Sequence, residues 1–93
     1  MKMKYEIKRT SRFKKDYKLI LKRKHNPELL GEVVKILASG EELPPKYNDH
    51  ALKGEYAGCR ECHISPDWLL IYEIDENVLY LYLSRTGTHS DLF

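Results

Sequence analysis

Between residues 3 and 8 apolar and polar positions alternate. Met3, Tyr5 and Ile7 fall on one side, Lys4, Glu6 and Lys8 on the other. A period of two is that of a strand with one buried face. The period then lengthens. Phe13, Tyr17, Ile20 and Leu21 recur at helical spacing, with Thr10 and Ser11 ahead of them as cap candidates. A cap is needed there because the first amide groups of a helix have no partner within it. His25-Asn26-Pro27 reads as a turn and a second helix start. Asn26 is suited to cap it, and Pro27 to the first helical position, where its missing N–H costs nothing. Leu30, Val33, Val34 and Leu37 form the second apolar stripe, and Gly40 sits where a helix stops.

A loop of about a dozen residues follows, Glu41 to Lys53, with Pro44-Pro45 and Asn48-Asp49-His50 inside it. Such length in so small a chain points to function rather than mere connection. The remainder reads as strands over 56–64, 68–74 and 78–85, with turns at Ser65-Pro66-Asp67 and Asp75-Glu76-Asn77. In the last strand Leu79, Leu81 and Leu83 alternate with Tyr80 and Tyr82. The order βααβββ predicts an α+β fold with a mainly antiparallel sheet, and residues 1–93 are expected to form one domain.

Composition narrows the class. With 42% hydrophobic and 32% charged residues the chain is globular rather than disordered. No apolar run approaches the roughly 20 residues of a membrane helix. The basic start, Met1 to Tyr5, has no apolar stretch behind it, so no signal peptide is expected and the cytoplasm is the expected compartment. The formal net charge is only +2. That total hides a gradient, since between Lys2 and Lys24 a dense run of Lys and Arg is opposed only by Glu6 and Asp16. Such a block favours an anionic partner, whether a phosphate backbone or an acidic protein.

The chemistry gathers in the second half, where His50, His63 and His89 lie. Pairing Ile74 with Val78 across the last turn puts Arg85 near Asp67, give or take two residues, with His63 and His89 at the same end of the sheet. The position of His50 does not follow from this reasoning. Histidine titrates near neutral pH and serves as acid or base; arginine holds phosphate oxygens in pairs. Together they suit RNA cleavage, in which a base takes the proton of the 2′-hydroxyl and an acid protonates the departing 5′-oxygen. Trp68, Tyr82 and Phe93 offer flat faces for unstacked bases. Two bland readings stand beside these. Trp68 at the head of an apolar strand fits a core position, and Arg85 shares the parity of Leu83, which fits a buried ion pair with Asp67. Cys59 and Cys62 have zinc-like spacing, but three residues apart on a strand they face opposite ways and cannot share one ion.

Two long motifs go further. The stretch Leu52-Lys53-Gly54-Glu55-Tyr56-Ala57-Gly58-Cys59-Arg60-Glu61-Cys62-His63-Ile64-Ser65-Pro66-Asp67-Trp68-Leu69-Leu70-Ile71-Tyr72 and the tail Leu83-Ser84-Arg85-Thr86-Gly87-Thr88-His89-Ser90-Asp91-Leu92-Phe93 resemble the YafQ branch of the RelE/ParE toxin superfamily. Tyr5-Glu6-Ile7 and Phe13-Lys14-Lys15-Asp16-Tyr17 fit as well. The resemblance implies a small twisted sheet with two N-terminal helices packed on it. It implies an mRNA interferase that cuts in the ribosomal A site, contacts 16S rRNA, needs no cofactor and is neutralised by a cognate antitoxin. The free toxin is expected to be a monomer. Its active-site set falls on His50, His63, Asp67, Arg85 and His89, with Trp68, Phe93, Lys53 and Arg60 on the substrate. Asp67 or His63 is expected near the 2′-hydroxyl, His89 on the leaving oxygen and Arg85 on the phosphate. The alternative is a ParE-like gyrase binder that cuts no RNA; three histidines around an arginine argue against it.

Overall fold

The computed structural model describes residues 3–93; Met1 and Lys2, the start of the basic block, lie outside the described residues. Strand β1 (Glu6–Arg9) leads into α1 (Ser11–Lys22) and α2 (Pro27–Ala38). The caps are those the sequence offers. Thr10 accepts a hydrogen bond from the Phe13 amide and Asn26 one from the Glu28 amide, each at 3.0 Å. Gly40 ends α2 at φ 84°, and its N–H donates to Leu37 O while that of Glu41 donates to Ile36 O. This pairing satisfies the last carbonyls of a helix and needs the left-handed conformation glycine takes freely.

Four further strands follow: β2 (His50–Ala51), β3 (Arg60–Ser65), β4 (Trp68–Asp75) and β5 (Tyr80–Gly87), then a short helix α3 (His89–Leu92). The sheet order is β1-β5-β4-β3-β2, with β1 parallel to β5 and the other pairs antiparallel. This is the expected α+β architecture, with one short strand and one short helix more than the sequence pattern announced.

Both faces of the sheet are covered, unequally. Phe13 and Ile20 of α1 and Leu30, Val33 and Leu37 of α2 pack on one face against Cys62, Trp68, Leu70, Tyr72, Leu81 and Leu83. The opposite face carries a smaller cluster, Leu69, Ile71 and Leu92, edged by Leu52, Tyr56 and Cys59. Cys59 and Cys62 thus belong to different faces, as their spacing predicted. Burial pushes the Cys62 thiol up to about 12.

The strand boundaries moved for local reasons. The expected strand over 56–64 begins only at Arg60, because Gly54–Tyr56 form a 3-10 turn and Gly58 turns the chain at φ 91°. The last hairpin is wider than expected. Asp75 pairs with Tyr80 across the four residues Glu76–Leu79, where Leu79 takes φ 56°. Asp75 Oδ1 accepts from the Asn77 amide at 2.9 Å inside that turn. The whole register of β5 therefore slides, and Ile74 faces Leu81 rather than Val78.

Candidate active site

The slide, together with one irregularity, decides where the reactive groups go. Between the pairs Tyr72–Leu83 and Ile71–Arg85 an extra residue, Ser84, enters β5. A bulge of one residue inverts the alternation beyond it. Leu83 faces the helix-packed core, and Arg85, which simple parity put on the same side, instead lies opposite Ile71 on the other face. Arg85 does not reach Asp67 either; it pairs with Asp16 of α1.

The helix is positioned for this. Thr10, the cap of α1, donates its hydroxyl to the bulged Ser84 carbonyl at 2.8 Å. Further along the same helix Asp16 accepts from Arg85 Nε at 2.7 Å and from Nη2 at 3.0 Å. Its Oδ2 also accepts from the Thr86 amide at 3.2 Å. Hydrogen bonds to Asp16, against the cost of burial, hold the Arg85 guanidinium charged more firmly than an ordinary arginine. Nη1 donates to the Tyr56 hydroxyl at 3.4 Å, which leaves one N–H free on each terminal nitrogen.

The same face carries two histidines. His50 lies directly across from Glu61, Glu61 from Ile71, and Ile71 from Arg85. These four residues make a single row across four strands, each step about 4.8 Å. His63, two residues along β3, faces Leu69 in the next row. The His50 and His63 rings are 6.4 Å apart. Between them Glu61 Oε1 lies 3.4 Å from His50 Nε2 and 3.9 Å from His63 Nε2. Asn48 precedes His50 in the left-handed conformation (φ 48°), and its carbonyl accepts from His50 Nδ1 at 2.8 Å.

His89 and Phe93 close the arrangement from the tail. Phe93 packs against His89 at 5.3 Å and edge-on against Tyr56 at 5.9 Å, so an aromatic wall stands next to Arg85. α3 is fixed by a reciprocal cap, with Thr88 and Asp91 exchanging side-chain-to-backbone hydrogen bonds of 2.9 and 3.2 Å. Arg23, at the end of α1, donates to both Asp91 oxygens at 2.5 and 3.2 Å. Arg23, with the Thr88 amide, holds the Asp91 carboxyl down at about 2.

The remaining sequence candidates fall elsewhere. Trp68, a candidate stacking platform, is fully buried on the helix side; its Nε1 donates to Thr86 Oγ1 at 2.8 Å and no face of the ring is open. Strand parity is the reason, since Trp68, Leu70 and Tyr72 share one face and Leu69 and Ile71 the other. Arg60 alternates with Glu61 and points away from the histidines to Asp49, at 3.3 Å. Asp67 is exposed in the turn before β4, beyond the last pair with β5 (Leu69–Gly87), and Lys53 is exposed beside the 3-10 turn. Asp16, Tyr56 and Glu61 were not singled out from sequence. Glu61 shares the parity of His63, and Asp16 is the lone acid of a basic helix; both were signals.

The family described as "Bacterial toxin of type II toxin-antitoxin system, YafQ" matches residues 5–93. An Escherichia coli K12 protein named "mRNA interferase toxin YafQ" is 37% identical over 89 residues, 95% of either chain. The toxin in the E. coli DinJ–YafQ toxin–antitoxin complex superposes with TM-score 0.88 at 36% identity, covering 98% of this chain and 99% of that one. A metal-bound toxin from Helicobacter pylori superposes with TM-score 0.90 at 44% identity, covering 96% and 99%. Among the described residues of this chain no three His, Cys, Asp or Glu side chains are grouped to hold a metal ion. No helix among them is long and apolar enough to cross a membrane.

Proposed function

Because this chain belongs to the YafQ family of toxins from type II toxin–antitoxin systems, we propose that it is an endoribonuclease that cuts mRNA in the ribosomal A site. The observation that carries this reading is the convergence on one sheet face of His50, His63 and Arg85, with the His89–Phe93–Tyr56 wall beside the arginine.

The chemistry proceeds by attack of a 2′-hydroxyl on the adjacent phosphorus. His63, or Asp67 from the neighbouring turn, takes the hydroxyl proton. The 2′-oxygen forms its bond to phosphorus, the bond to the 5′-oxygen breaks, and His89 donates a proton to that leaving oxygen. The products are a 2′,3′-cyclic phosphate and a free 5′-hydroxyl. The two free N–H groups of Arg85 hydrogen-bond to phosphate oxygens while Asp16 keeps the guanidinium in place. Its charge is partly offset by Asp16, so its contribution rests on directed hydrogen bonds more than on net charge. Phe93 is more than half exposed and packs against a base. The nucleophile belongs to the RNA, so the scheme runs on side chains alone and needs no metal or cofactor. The exposed basic residues of α1 bind ribosomal RNA. The partner that silences the toxin is a cognate antitoxin, as DinJ accompanies YafQ in the E. coli complex.

Primer extension on a reporter mRNA after brief induction tests the reading, with Arg85→Ala and His89→Ala beside the wild type. Cuts at discrete codons that require translation and vanish in both variants are expected. Growth arrest over intact mRNA would refute it in favour of a gyrase-binding toxin.

A further inference from the structure

The loop that leads into His50 also builds a cleft at the outer edge of the sheet. β2 pairs with β3 only as far as His50–Glu61, and beyond that point a 3-10 turn, Pro45–Tyr47, packs beside β3 instead. Leu29 and Glu32 of α2, Lys46 and Tyr47 of the turn, and His63 and Ser65 of β3 line a cleft of about 270 Å³ there. The turn is held in shape. The Tyr47 N–H donates to Pro44 O at 3.1 Å and the Asn48 N–H to Pro45 O at 3.0 Å, while the Asn48 carbonyl accepts from His50 Nδ1. Tyr47 is half-buried against the helix-side core, and the exposed Lys46 ammonium lies 5.1 Å from its ring centroid.

A space of this size is small for an organic cofactor and suits one planar ring system. Its lining offers the two things that recognition of single-stranded RNA uses, an aromatic face for stacking and polar groups for the edge of a base. The Glu32 carboxylate only accepts hydrogen bonds, Lys46 only donates, and the Ser65 hydroxyl does both. The connectivity of RNA says which base comes here. In the proposed reaction Arg85 holds the phosphate, and His63 or Asp67 receives the proton of the 2′-hydroxyl. Arg85 is on β5 and His63 on β3, with β4 between them, and the cleft lies at the edge of β3 away from β4. Asp67 follows Ser65 by two residues. The attacking hydroxyl sits on C2′, and the base hangs from C1′, the next carbon of the same ribose. Continued from Arg85 past His63, the nucleotide enters the cleft base first.

We propose that this cleft holds the base on the 5′ side of the cut, stacked on Tyr47 and read by Glu32. The inference rests on the ribonuclease reading and adds a base preference to it. Glu32 accepts from an exocyclic amino group, which adenine, cytosine and guanine carry and uracil lacks. Uracil would turn a carbonyl oxygen toward the carboxylate, and two acceptors repel. Stacking displaces the Lys46 ammonium from the Tyr47 face, and Lys46 then donates to the RNA backbone. Tyr47 and Glu32 determine specificity and take no part in proton transfer.

Ribosomes carrying mRNAs that differ only in the base 5′ of the cut test this through kcat/KM. The wild type should favour the three amino-bearing bases over uracil by roughly tenfold or more. Glu32→Gln, whose amide donates as well as accepts, should bring uracil level with the others. Tyr47→Leu keeps the core contact and removes the flat face; it should raise KM about tenfold for every base, with little change in kcat. A merely structural role for Glu32 would slow all four bases together. Equal base ratios in the wild type and Glu32→Gln overturn the reading by Glu32, and an unchanged KM in Tyr47→Leu overturns the stacking. Cytidine and uridine 3′-monophosphate give an arm that needs no ribosome. Each carries the base, the 2′-hydroxyl and the phosphate but no leaving group. Added to the purified full chain, the cytidine nucleotide should shift the amide NMR signals of Lys46, Tyr47 and Ser65 at roughly tenfold lower concentration than the uridine one. Signals that stay in place, or that respond equally to both, overturn the site whether or not the chain cuts RNA. If the wild type cuts no RNA while the cleft still tells the two apart, the ribonuclease reading fails and the base site stands.

Discussion

The fully buried Trp68–Thr86 pair makes the sharpest quantitative test of the fold beneath the site. The Trp68 indole donates to Thr86 Oγ1 at 2.8 Å, and the same hydroxyl donates to Leu69 O at 2.7 Å. Both side chains are within 1% of complete burial. Thr86→Val keeps the shape and removes the oxygen, so the indole N–H is left in the core with nothing to accept it. Stranding a buried donor costs about 1–3 kcal/mol. At this chain length 1 kcal/mol moves Tm by roughly 4–8 °C, so a drop of roughly 10 °C is expected. Trp68→Phe removes the donor and some ring volume, for about 1–3 kcal/mol by itself. In the double variant no donor is stranded, so the loss should fall short of the summed single losses by about 1 kcal/mol or more. Urea unfolding followed by far-UV circular dichroism measures all four proteins, because it does not depend on the single tryptophan. Additive losses would refute the hydrogen bond. A Trp68→Phe protein of unchanged stability that no longer cuts RNA would refute burial itself and return the ring to the substrate.

Three further outcomes follow from the contacts described above. Asp91, held down at about 2 by Arg23, stabilises the tail above the ordinary carboxylate range and loses that contribution as pH falls from about 4 toward 2. The stability advantage of wild type over Asp91→Asn, about 1 kcal/mol across this partly exposed pair, should be constant from pH 5 to 8 and shrink below about 4; a difference flat through acid would contradict it. Asp16→Ala leaves the Arg85 guanidinium, 13% exposed, without its carboxylate. It should cost about 2 kcal/mol in urea unfolding and reduce cleavage severely even in folded protein, and full activity would show that Arg85 needs no help from α1. In native protein a thiol reagent should modify half-buried Cys59 and spare Cys62, whose thiol burial pushes up to about 12. Rapid reaction at both would place Cys62 outside the core.

The helices, their caps and the order of elements were legible because they depend on local signals. Thr10, Asn26, Pro27 and Gly40 each act within a few residues of their own position. The placement of Arg85 was not legible. It depends on the width of the 75–80 turn and on a one-residue bulge at Ser84, and neither leaves a mark in the alternation of apolar residues. Each shifts register, and one residue of register exchanges the two faces of a strand. The likeness to a known family pointed to Arg85 without revealing that Asp16, sixty-nine positions away in sequence, holds it. Trp68 shows the opposite failure. Its bland reading as a core residue was available from the apolar run it heads, and that reading matches its burial.

The strand order has a consequence for how the protein is born. β5, the last strand to be synthesised, does not sit at an edge; it lies between β1 and β4. Among the described residues β1 therefore has no neighbour in the sheet until β5 exists, and α1 waits with it, because both Thr10 and Asp16 close onto Ser84 and Arg85. While the nascent chain is still threaded through the ribosome that makes it, Arg85, His89 and Phe93 are out of reach of His50 and His63. Completion of the sheet and the gathering of these side chains are one event, and it waits for β5.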